Sequence, residues 1–321
     1  MSDQKLLKDV SEGDEFIGFY ALKRCELKAF EGGSRLDIEL SDSSGSVPGV
    51  IWDDVDELRE KVSKGDVVKV KARLGSYRDK PQVKIDKIRP AEDGEYEPGS
   101  FLPKTPCDID ELKEKVLSIV ESIEDPHLGE LARLIFHNET FMDDYAASPG
   151  GMNWHHPYIG GLLEHSIGVV GICSYMADKH PGLNRDLLLV AALLHDVGKL
   201  REYTATTVIE YSDEGRLEGH IIIGERFVRN MCDRVEGFPS KLKMLLTHLI
   251  LAHQGHREFS SPVEPMIPEG FVLYYADEMD AKLNAVNRVS AETRESGKKW
   301  SSYVRLLNKY IYVDGGDEQE K

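Results

Sequence analysis

The sequence predicts a two-domain protein in which a five-stranded β-barrel is followed by an all-α helical bundle. Residues 10–90 alternate short apolar runs with turn signals, whereas the periodicity is helical from about residue 107 onward. Between them, 90-PAEDGEYEPGSFLPKTP-106 is rich in Pro, Gly and acid and has no period. We therefore expect domains at 1–90 and 107–310, joined by a linker at 91–106 and followed by an acidic tail at 311–321.

The strand pattern of the first domain is clearest at 68-VKVKARL-74. There Val68, Val70 and Ala72 lie on one side of the strand, and basic residues alternate with them on the other. One short helix is expected near 53–62. Five strands and one helix in about 80 residues are typical of an OB-type barrel. The predicted strands span 14–27, 34–42, 46–52, 66–77 and 81–88.

The second domain shows apolar residues at helical spacing over most of its length. Short polar or glycine-containing connections separate these segments, which is typical of a helical bundle. The predicted helices span 111–123, 128–136, 159–179, 186–199, 219–234, 240–253, 268–289 and 299–309.

Composition restricts the class of protein. No apolar run approaches the ~20 residues that span a bilayer, and 1-MSDQKLLKDVSEGDE-15 lacks the apolar core of a signal peptide. Four cysteines, far apart in the chain, form no C-x-x-C pair. We therefore expect a cytoplasmic protein with reduced cysteines and no membrane partner.

The net charge of −17 argues at first against a nucleic-acid partner. The charge is unevenly distributed, however. Residues 1–90 contain 17 basic and 18 acidic side chains, and the rest of the chain contains 23 basic and 39 acidic ones. The first domain can therefore present a basic face, whereas the second is strongly acidic.

The helical domain carries histidines and aspartates at separated positions on apolar helices. They are spaced by about one helix and one connection, so a bundle can bring them to one point. A single histidine of this kind predicts little, but the set predicts a metal site. The candidates are His165, the adjacent pair His195-Asp196, His220, His253 and Asp277.

This set resembles the His…His-Asp…Asp signature of the HD-domain phosphohydrolases. The resemblance extends to the YhaM family, 3′-to-5′ exoribonucleases that join an N-terminal OB-fold to an HD domain. The matching stretches in the second domain are 160-GGLLEHS-166, 191-AALLHDVGK-199, 219-GHI-221, 248-HLILAHQG-255, 257-REFSSP-262 and 274-YYADEMDAK-282, and those in the first are 36-LDIELSDSSGSVPGVIWD-53, 65-GDVVKVKARLGSY-77 and 82-QVKIDKIRP-90.

The resemblance implies roles for these residues. His165, His195, Asp196 and Asp277 are expected to bind a first metal ion, and His220 and His253 a second, with Asp196 bridging both. The family often has two histidines where this chain has His253-Gln254, which leaves occupancy of the second position open.

Three further residues are assigned around these ligands. Lys199 follows the His-Asp pair by one helical turn, so we predict that it acts with Asp196 in catalysis by meeting the scissile phosphate. An exposed lysine at a helix end is the alternative. For the adjacent pair His155-His156, a contact with the substrate phosphate and packing at the helix entry are the alternatives, and His156 is the predicted contact. Asp280 is predicted to hydrogen-bond a ligand.

The chemistry explains the residue types. A divalent metal lowers the pKa of bound water to about 7, polarises a phosphoryl oxygen, and as a second ion stabilises the leaving oxygen. Mixed imidazole and carboxylate ligands suit transition metals better than Mg²⁺. We expect one or two divalent ions, with Mn²⁺ favoured and Co²⁺, Fe²⁺, Ni²⁺ or Zn²⁺ as alternatives.

The barrel is expected to bind a single strand of RNA or DNA by combining a basic groove with aromatic stacking. The predicted substrate-binding residues are Lys69, Lys71, Arg73 and Tyr77, followed by Arg78 and Lys80 in the next turn. Tyr20, Phe30 and Trp52 are candidate stacking residues, with burial in the barrel core as the alternative.

The predicted function is metal-dependent 3′-to-5′ hydrolysis of single-stranded RNA, with single-stranded DNA as a further substrate. One alternative is an HD phosphohydrolase of a small or cyclic nucleotide, with the barrel as a regulatory or assembly module. Another is a non-catalytic nucleic-acid-binding adaptor with a structural metal. The sequence is compatible with a homo-oligomer and does not fix the number of subunits.

Overall fold

The computed structural model describes residues 4–31, 33–78 and 80–314. The chain divides into two compact units. The first comprises Met1–Lys104 together with Tyr203–Tyr211, and the second comprises Thr105–Glu202 and Ser212–Lys321. The chain therefore leaves the second unit once, contributes nine residues to the first, and returns.

The first unit is built on a closed barrel with strand order β1-β2-β3-β5-β4, in which β1 also pairs with β4. All pairs are antiparallel except β3 with β5, where Gly49 lies opposite Val83. A helix connects β3 to β4. This confirms the predicted five-stranded OB-type barrel. Its elements are β1 (Glu15–Phe30), β2 (Gly33–Asp42), β3 (Gly45–Ile51), α1 (Val55–Lys61), β4 (Val67–Tyr77) and β5 (Lys80–Pro90).

The barrel core follows the alternation in the sequence. On β4, Val68, Val70 and Ala72 are buried, while the basic residues between them lie on the outer side. Each fully buried side chain of Val or Leu size stabilises the fold by roughly 1.5–3 kcal/mol. Tyr20 belongs to this core, since it is fully buried and its hydroxyl donates to the carbonyl of Lys5 at 3.0 Å. It is therefore not available for stacking on a base.

The segment expected to be a linker differs from the prediction. Phe101 and Leu102 are buried, and Phe101 packs in a small apolar cluster with Ala21, Val67 and Val208. Residues 91–104 therefore belong to the first unit. The sequence pattern did not show this because two apolar residues among Pro, Gly and acid have no detectable period.

Val208 comes from a hairpin that the sequence did not predict, formed by β6 (Tyr203–Ala205) and β7 (Ile209–Tyr211). Within the first unit, Thr207 donates a hydrogen bond to the carbonyl of Gly65. Lys64 forms an ion pair with Glu210 at 2.8 Å. Strands of three residues are too short for alternation to reveal them.

The second unit is helical. The predicted bundle is confirmed, although α4 and two short helices were not predicted. Its helices are α2 (Ile109–Glu121), α3 (Pro126–Phe136), α4 (Glu139–Ala147), α5 (Gly161–Lys179), α6 (Arg185–Leu194), α7 (Lys199–Glu202), α8 (Asp213–Glu218), α9 (His220–Cys232), α10 (Ser240–Ala252) and α11 (Pro268–Glu295).

Helix α6 is the centre of this unit. It begins at a side-chain cap, since Asn184 accepts from the amide of Leu187 at 3.1 Å. Every residue from Leu187 to Leu194 is at most 1% exposed. The helix ends at Leu194, five residues earlier than predicted. His195 and Asp196 therefore lie in a tight turn that directly follows eight buried helical residues.

The predicted helix at 299–309 is wrong. Trp300 pairs with Tyr312 and Val304 with Lys309 as isolated antiparallel bridges, and Asn308 adopts a left-handed conformation at φ 53°. The segment is rich in aromatic residues, which favour extended structure. Of the expected acidic tail, residues 315–321 lie outside the described part of the chain. None of the described helices combines the length and apolarity needed to cross a bilayer.

Candidate metal centre and nucleic-acid interface

All six predicted metal ligands come together in the second unit. His165 lies on α5, His195 and Asp196 follow α6, and His253 follows α10, while His220 begins α9 and Asp277 lies on α11. His165 and His195 are completely buried, and Asp196 and His253 are 2% and 1% exposed. Buried ionisable groups are costly unless they are paired or bind a metal, so this grouping needs an explanation.

The first group surrounds His165 Nε2. This atom lies 3.2 Å from His195 Nε2 and 3.2 Å from Asp277 Oδ1. Asp196 Oδ2 is 3.6 Å from His165 Nε2 and 3.4 Å from His195 Nε2. Ligands bound at about 2.1 Å to one ion lie roughly 3.0–3.4 Å apart. Most of these distances fit that range, but His165 Nε2–Asp196 Oδ2 at 3.6 Å and His195 Nε2–Asp277 Oδ1 at 3.9 Å exceed it. The four atoms would therefore have to move slightly closer together to bind a single divalent cation.

The second group uses the other oxygen of the same carboxylate. Asp196 Oδ1 lies 3.4 Å from His220 Nε2 and 3.6 Å from His253 Nε2. The two oxygens of Asp196 thus face different sets of histidines. This is the arrangement expected of a bridging ligand.

The histidines are held in one tautomer. Nδ1 of His195 lies 2.8 Å from the carbonyl of Ala192, and Nδ1 of His253 lies 2.7 Å from that of Ile250. A carbonyl can only accept, so each Nδ1 carries the proton and each Nε2 keeps a lone pair. Carboxylates accept from Nδ1 of the other two histidines, because His165 Nδ1 contacts Asp280 Oδ2 at 2.7 Å and His220 Nδ1 contacts Glu202 Oε1 at 2.9 Å.

The charges at the centre stabilise one another. Burial alone would lower the pKa of His165, but hydrogen bonds to Asp277 and Asp280 outweigh it and raise that pKa to about 9. Burial would raise the pKa of Asp196, but Lys199 and His195 hold it well below its usual range. The pKa of Asp277 is lowered in the same way by His165, against the effect of burial. The carboxylates therefore remain ionised, as metal ligands must be.

Asp280 lies behind the first group, as predicted for a partner of a ligand. Its Oδ2 accepts from both His165 and His156, and these hydrogen bonds lower its pKa to about 2 despite burial. Gly168 follows His165 on α5 and leaves room for the carboxylate, because a Cβ there would lie 2.1 Å from Asp280 Oδ1.

His156 is not placed where a substrate contact was predicted. It is 3% exposed, its Nε2 lies 2.9 Å from Asp280, and its Nδ1 lies 2.9 Å from the hydroxyl of Tyr158. Both ring nitrogens are thus engaged inside the protein. The glycines at 150 and 161 allow this close packing, since a Cβ on Gly161 would lie 2.1 Å from the carbonyl oxygen of His156. The placement favours support of Asp280 over a substrate contact.

Lys199 is only 4% exposed. Its Nζ lies 2.5 Å from Asp196 Oδ2, 2.5 Å from the carbonyl of Gly150 and 3.0 Å from His155 Nε2. A lysine ammonium has three protons, and these three acceptors use all of them. The predicted contact with a scissile phosphate would therefore require one of these hydrogen bonds to break.

The second group has two neighbours that bear on its occupancy. Glu202 accepts from both the amide and the ring Nδ1 of His220, at 3.0 and 2.9 Å. It has no motif of its own in the sequence, so it was not predicted. The side-chain amide nitrogen of Gln254 lies 3.2 Å from His220 Nε2. The residue that departs from the family pattern therefore lies directly beside the proposed second metal position.

The predicted basic residues of the barrel share the outer side of β4. Lys69 Nζ lies 4.8 Å from the ring centre of Phe19, and Arg73 forms an ion pair with Glu15. Lys71 is exposed between them. Tyr77 is 57% exposed, with the guanidinium of Arg78 5.2 Å from its ring centre. Part of the predicted positive charge is thus already neutralised within the barrel.

A second aromatic surface lies where β1, β2 and β3 end or begin. Phe30 and Trp52 are 48% and 55% exposed and meet edge to face at 5.6 Å. The guanidinium of Arg35 lies 5.3 Å from the Trp52 ring centre. We call these three residues the aromatic platform. Arg35 was not singled out from the sequence, because its position beside Trp52 depends on strand pairing.

Comparison with known proteins agrees with both units. The family model described as HD domain matches residues 162–282, and that described as OB-fold nucleic acid binding domain matches residues 23–91. The 3′-5′ exoribonuclease YhaM of Bacillus subtilis is 30% identical over 306 residues, covering 94% of this chain and 96% of the relative. The YhaM of Bacillus licheniformis gives the same identity and coverage.

More distant similarities were also found. The 3′-5′ exoribonuclease YhaM of Oceanobacillus iheyensis is 27% identical over 310 residues, covering 96% of each chain. Among solved structures, the second OB-fold domain of replication protein A from Methanococcus maripaludis is 15% identical with a TM-score of 0.24. That alignment covers 29% of this chain and 99% of the other.

Proposed function

The chain belongs to the YhaM family of 3′-5′ exoribonucleases, and we propose that it hydrolyses single-stranded RNA from the 3′ end with the help of a divalent metal. The observation that carries this proposal is the set of Nδ1 hydrogen bonds. They direct the Nε2 atoms of His165, His195, His220 and His253 to either side of Asp196. This arrangement suits metal binding and has no other evident purpose in a buried core.

The proposed ligands are His165, His195, Asp196 and Asp277 for one ion, and Asp196, His220 and His253 for a second. Donor atoms of His165, His195 and Asp277 lie within 4.8 Å of one another, and so do those of Asp196, His220 and His253. A third group of this kind contains His156, His165 and Asp280. A mixed imidazole and carboxylate set favours a transition metal, and we propose Mn²⁺. Such an ion would lower the pKa of a bound water and polarise the phosphoryl oxygen of the substrate.

The chain's own side chains supply orientation and charge balance. Asp280 and Glu202 hold the rings of His165 and His220, and backbone carbonyls hold the other two. Lys199 neutralises Asp196 before any metal binds, which keeps the carboxylate ionised in a buried position. The reacting bond therefore meets a preorganised site, and little of the binding energy is needed to assemble it.

The aromatic platform is proposed as a binding surface for the single strand. Bases stack on exposed aromatic rings, and a guanidinium beside them adds cation–π and phosphate contacts. Lys69, Lys71, Arg73 and Tyr77 remain the predicted basic contacts. Because stacking is indifferent to the sugar, we propose that single-stranded DNA also binds. The acidic remainder of the chain makes strong salt dependence the expected behaviour.

The domain roles and the cellular setting are also proposals. Residues 1–90 are proposed as the nucleic-acid-binding domain and 107–310 as the hydrolase domain. The four cysteines are free, and two of them are buried, which supports a reducing, cytoplasmic location. We also propose that the chain associates into a homo-oligomer, which sedimentation of the full chain would test.

The proposed activity is tested with a 5′-labelled single-stranded RNA, added Mn²⁺, and two variants of the full chain. Asp196→Ala is expected to abolish a ladder that shortens from the 3′ end. Asp178→Ala, on the exposed side of α5, is the matched control and should act like the unchanged protein. A duplex substrate should resist degradation.

If the RNA stays intact while the protein contains metal, the exonuclease proposal fails. The same preparation would then be assayed with small and cyclic nucleotides, for which an HD phosphohydrolase with a regulatory barrel remains the alternative. If RNA binds to the metal-loaded protein and neither class of substrate is hydrolysed, a non-catalytic adaptor is indicated.

A further inference from the structure

A histidine beside the metal centre has one ring nitrogen with an assigned role and one without. His155 Nε2 lies 3.0 Å from Lys199 Nζ. A lysine ammonium only donates hydrogen bonds, so this nitrogen must be the acceptor. The proton of the neutral ring is therefore on Nδ1.

The Nδ1 atom of His155 is unusual because it is a donor close to the metal centre for which no acceptor is seen among the described residues. Across the part of the chain that the structure describes, no hydrogen bond ends on this atom, and the His155 side chain is only half-buried. The neighbouring His156 is the opposite case, since both its nitrogens are engaged and it is 3% exposed. Of these two adjacent histidines, the structure thus leaves a donor available on His155 alone.

His155 also lies at the right place. Its ring centre is 5.5 Å from that of His165, a ligand in the first group. The ammonium that binds its Nε2 also contacts Asp196 Oδ2 at 2.5 Å. One lysine therefore ties the ring of His155 to the carboxylate between the two metal positions.

We propose that His155 is a substrate-contacting residue whose Nδ1–H donates a hydrogen bond to a non-bridging oxygen of the phosphodiester at the metal centre. Lys199 is then a positioning residue that fixes the tautomer of His155 and acts through it. This inference rests on the proposed function. It assigns to His155 the phosphate contact that was predicted for Lys199 and His156.

The chemistry favours such a donor. A neutral N–H binds a phosphoryl oxygen without adding a further positive charge to a centre that already contains Lys199 and would also hold metal ions. Hydrogen bonds to charged groups are stronger than those between neutral groups. Gly151 lets the chain pass close by, because a Cβ there would lie 3.0 Å from the carbonyl oxygen of His155.

Two substitutions distinguish the roles of the two ring nitrogens of His155. In His155→Asn the side-chain amide reaches the position of Nδ1, whereas in His155→Gln it reaches that of Nε2. Both variants are compared with the unchanged chain and with His180→Asn, an exposed histidine on the same domain. The measurements are metal content, kcat/KM on single-stranded RNA, and the affinity of the metal-loaded protein for inorganic phosphate.

If Nδ1 is the contact, His155→Gln should lose about 10- to 100-fold in both phosphate affinity and kcat/KM. His155→Asn should retain most of both, and all variants should keep their metal. The inference is overturned if the Gln variant equals or exceeds the Asn variant, because accepting from Lys199 would then be the important role. It is also overturned if either variant loses metal, which would indicate a structural role.

A measurement on the unchanged chain tests the same inference if the variants fail to fold. With Zn²⁺ in place of Mn²⁺, nitrogen NMR should show His155 as the Nδ1–H tautomer, and its Nδ1 signal should shift when inorganic phosphate is added. No shift overturns the inference. If RNA is not degraded but phosphate still shifts Nδ1, the proposed exonuclease function fails while the contact stands.

Discussion

Asp280 Oδ2 lies 2.7 Å from His165 Nδ1, on the side of the ring that faces away from the metal centre. The same oxygen lies 2.9 Å from His156 Nε2. One carboxylate thus orients His165, a proposed metal ligand, and is itself held by the buried His156. The geometry of the first metal position depends on this chain of contacts.

We predict that Asp280→Asn weakens the first metal position without unfolding the protein. The amide still accepts a hydrogen bond but lacks the charge that makes His165 a stronger ligand. Loss of such a partner typically reduces metal affinity by about 10- to 100-fold, which a competition titration with a chelating dye measures. Asp178→Asn is the control, and equal affinities in the two variants would contradict the prediction.

The affinity of the second metal position should depend on the residue at position 254. Since its amide lies beside His220 Nε2, we expect Gln254→His to add a nitrogen ligand and tighten the second ion by about tenfold or more. Metal bound per chain is measured at limiting Mn²⁺. Gln82→His adds an imidazole to the barrel and controls for unspecific binding. An unchanged stoichiometry and affinity would mean that residue 254 does not reach the ion.

The pair of Lys199 and Asp196 should matter most when no metal is bound. The two side chains are 4% and 3% exposed, and removing one partner of such a buried pair costs about 3–5 kcal/mol. We expect Lys199→Met to lower the free energy of unfolding of the metal-free protein by this amount and to be partly rescued by Mn²⁺. Denaturant unfolding with and without metal measures both.

Lys282→Met provides the comparison for that pair. Lys282 is paired with Glu278 on the exposed side of α11, and exposed pairs contribute at most about 1 kcal/mol. A loss of similar size in both variants would show that burial of the Lys199 pair has no special importance.

The aromatic platform should contribute to binding of the single strand. Stacking of one base on an aromatic ring is worth about 1–3 kcal/mol, so Trp52→Ala should weaken binding of a labelled oligoribonucleotide by roughly 5- to 150-fold. Fluorescence anisotropy at fixed salt measures this. Trp300→Ala removes a tryptophan of similar exposure, 57%, from the other unit. Equal loss in both would place the binding surface elsewhere.

The stability of the barrel unit should fall at acidic pH because of the ion pair between Glu95 and Arg89. Glu95 accepts two hydrogen bonds from Arg89, each at 2.7 Å, and this pairing lowers its pKa to about 2. Because the folded-state pKa lies below the unfolded value of about 4.3, the pair stabilises the fold above that pH. The stabilisation is lost as the pH falls toward about 2.

The corresponding measurement compares denaturant unfolding of the unchanged chain and Glu95→Gln between pH 6 and pH 3. The difference between them should be constant above the unfolded pKa and shrink below it. Glu97→Gln, on an exposed neighbour, should show no such change. A difference that grows on acidification would contradict the assignment of the low pKa to Glu95.

The sequence predicted the parts of this protein whose signal is periodic or carried by a motif. Alternation at Val68 and Val70 identified β4, and the spacing of His165, His195 and Asp277 identified side chains that the structure brings together. Residues that depend on pairing at a distance were missed. Glu202 supports His220 from a four-residue helix, and no local pattern marks it.

The two histidines before α5 show the same limit. Sequence reasoning assigned a substrate contact to His156, yet the backbone of this residue adopts φ 48° and its ring points into the core. Adjacent residues in an irregular loop have no fixed alternation, so which one faces a site is decided by packing. Likewise, the aromatic residues of 299–309 fitted a helical period but fold back on themselves.

The late position of the Tyr203–Tyr211 hairpin in the sequence determines when the first unit can finish folding during synthesis. A ribosome that adds about 5–20 residues per second needs roughly 6–20 s to proceed from Pro90 to Tyr203. During that interval Val208 is not yet made, so it cannot pack with Val67 and Phe101. The first unit therefore completes this apolar cluster only after the His-Asp pair of the second unit has been synthesised.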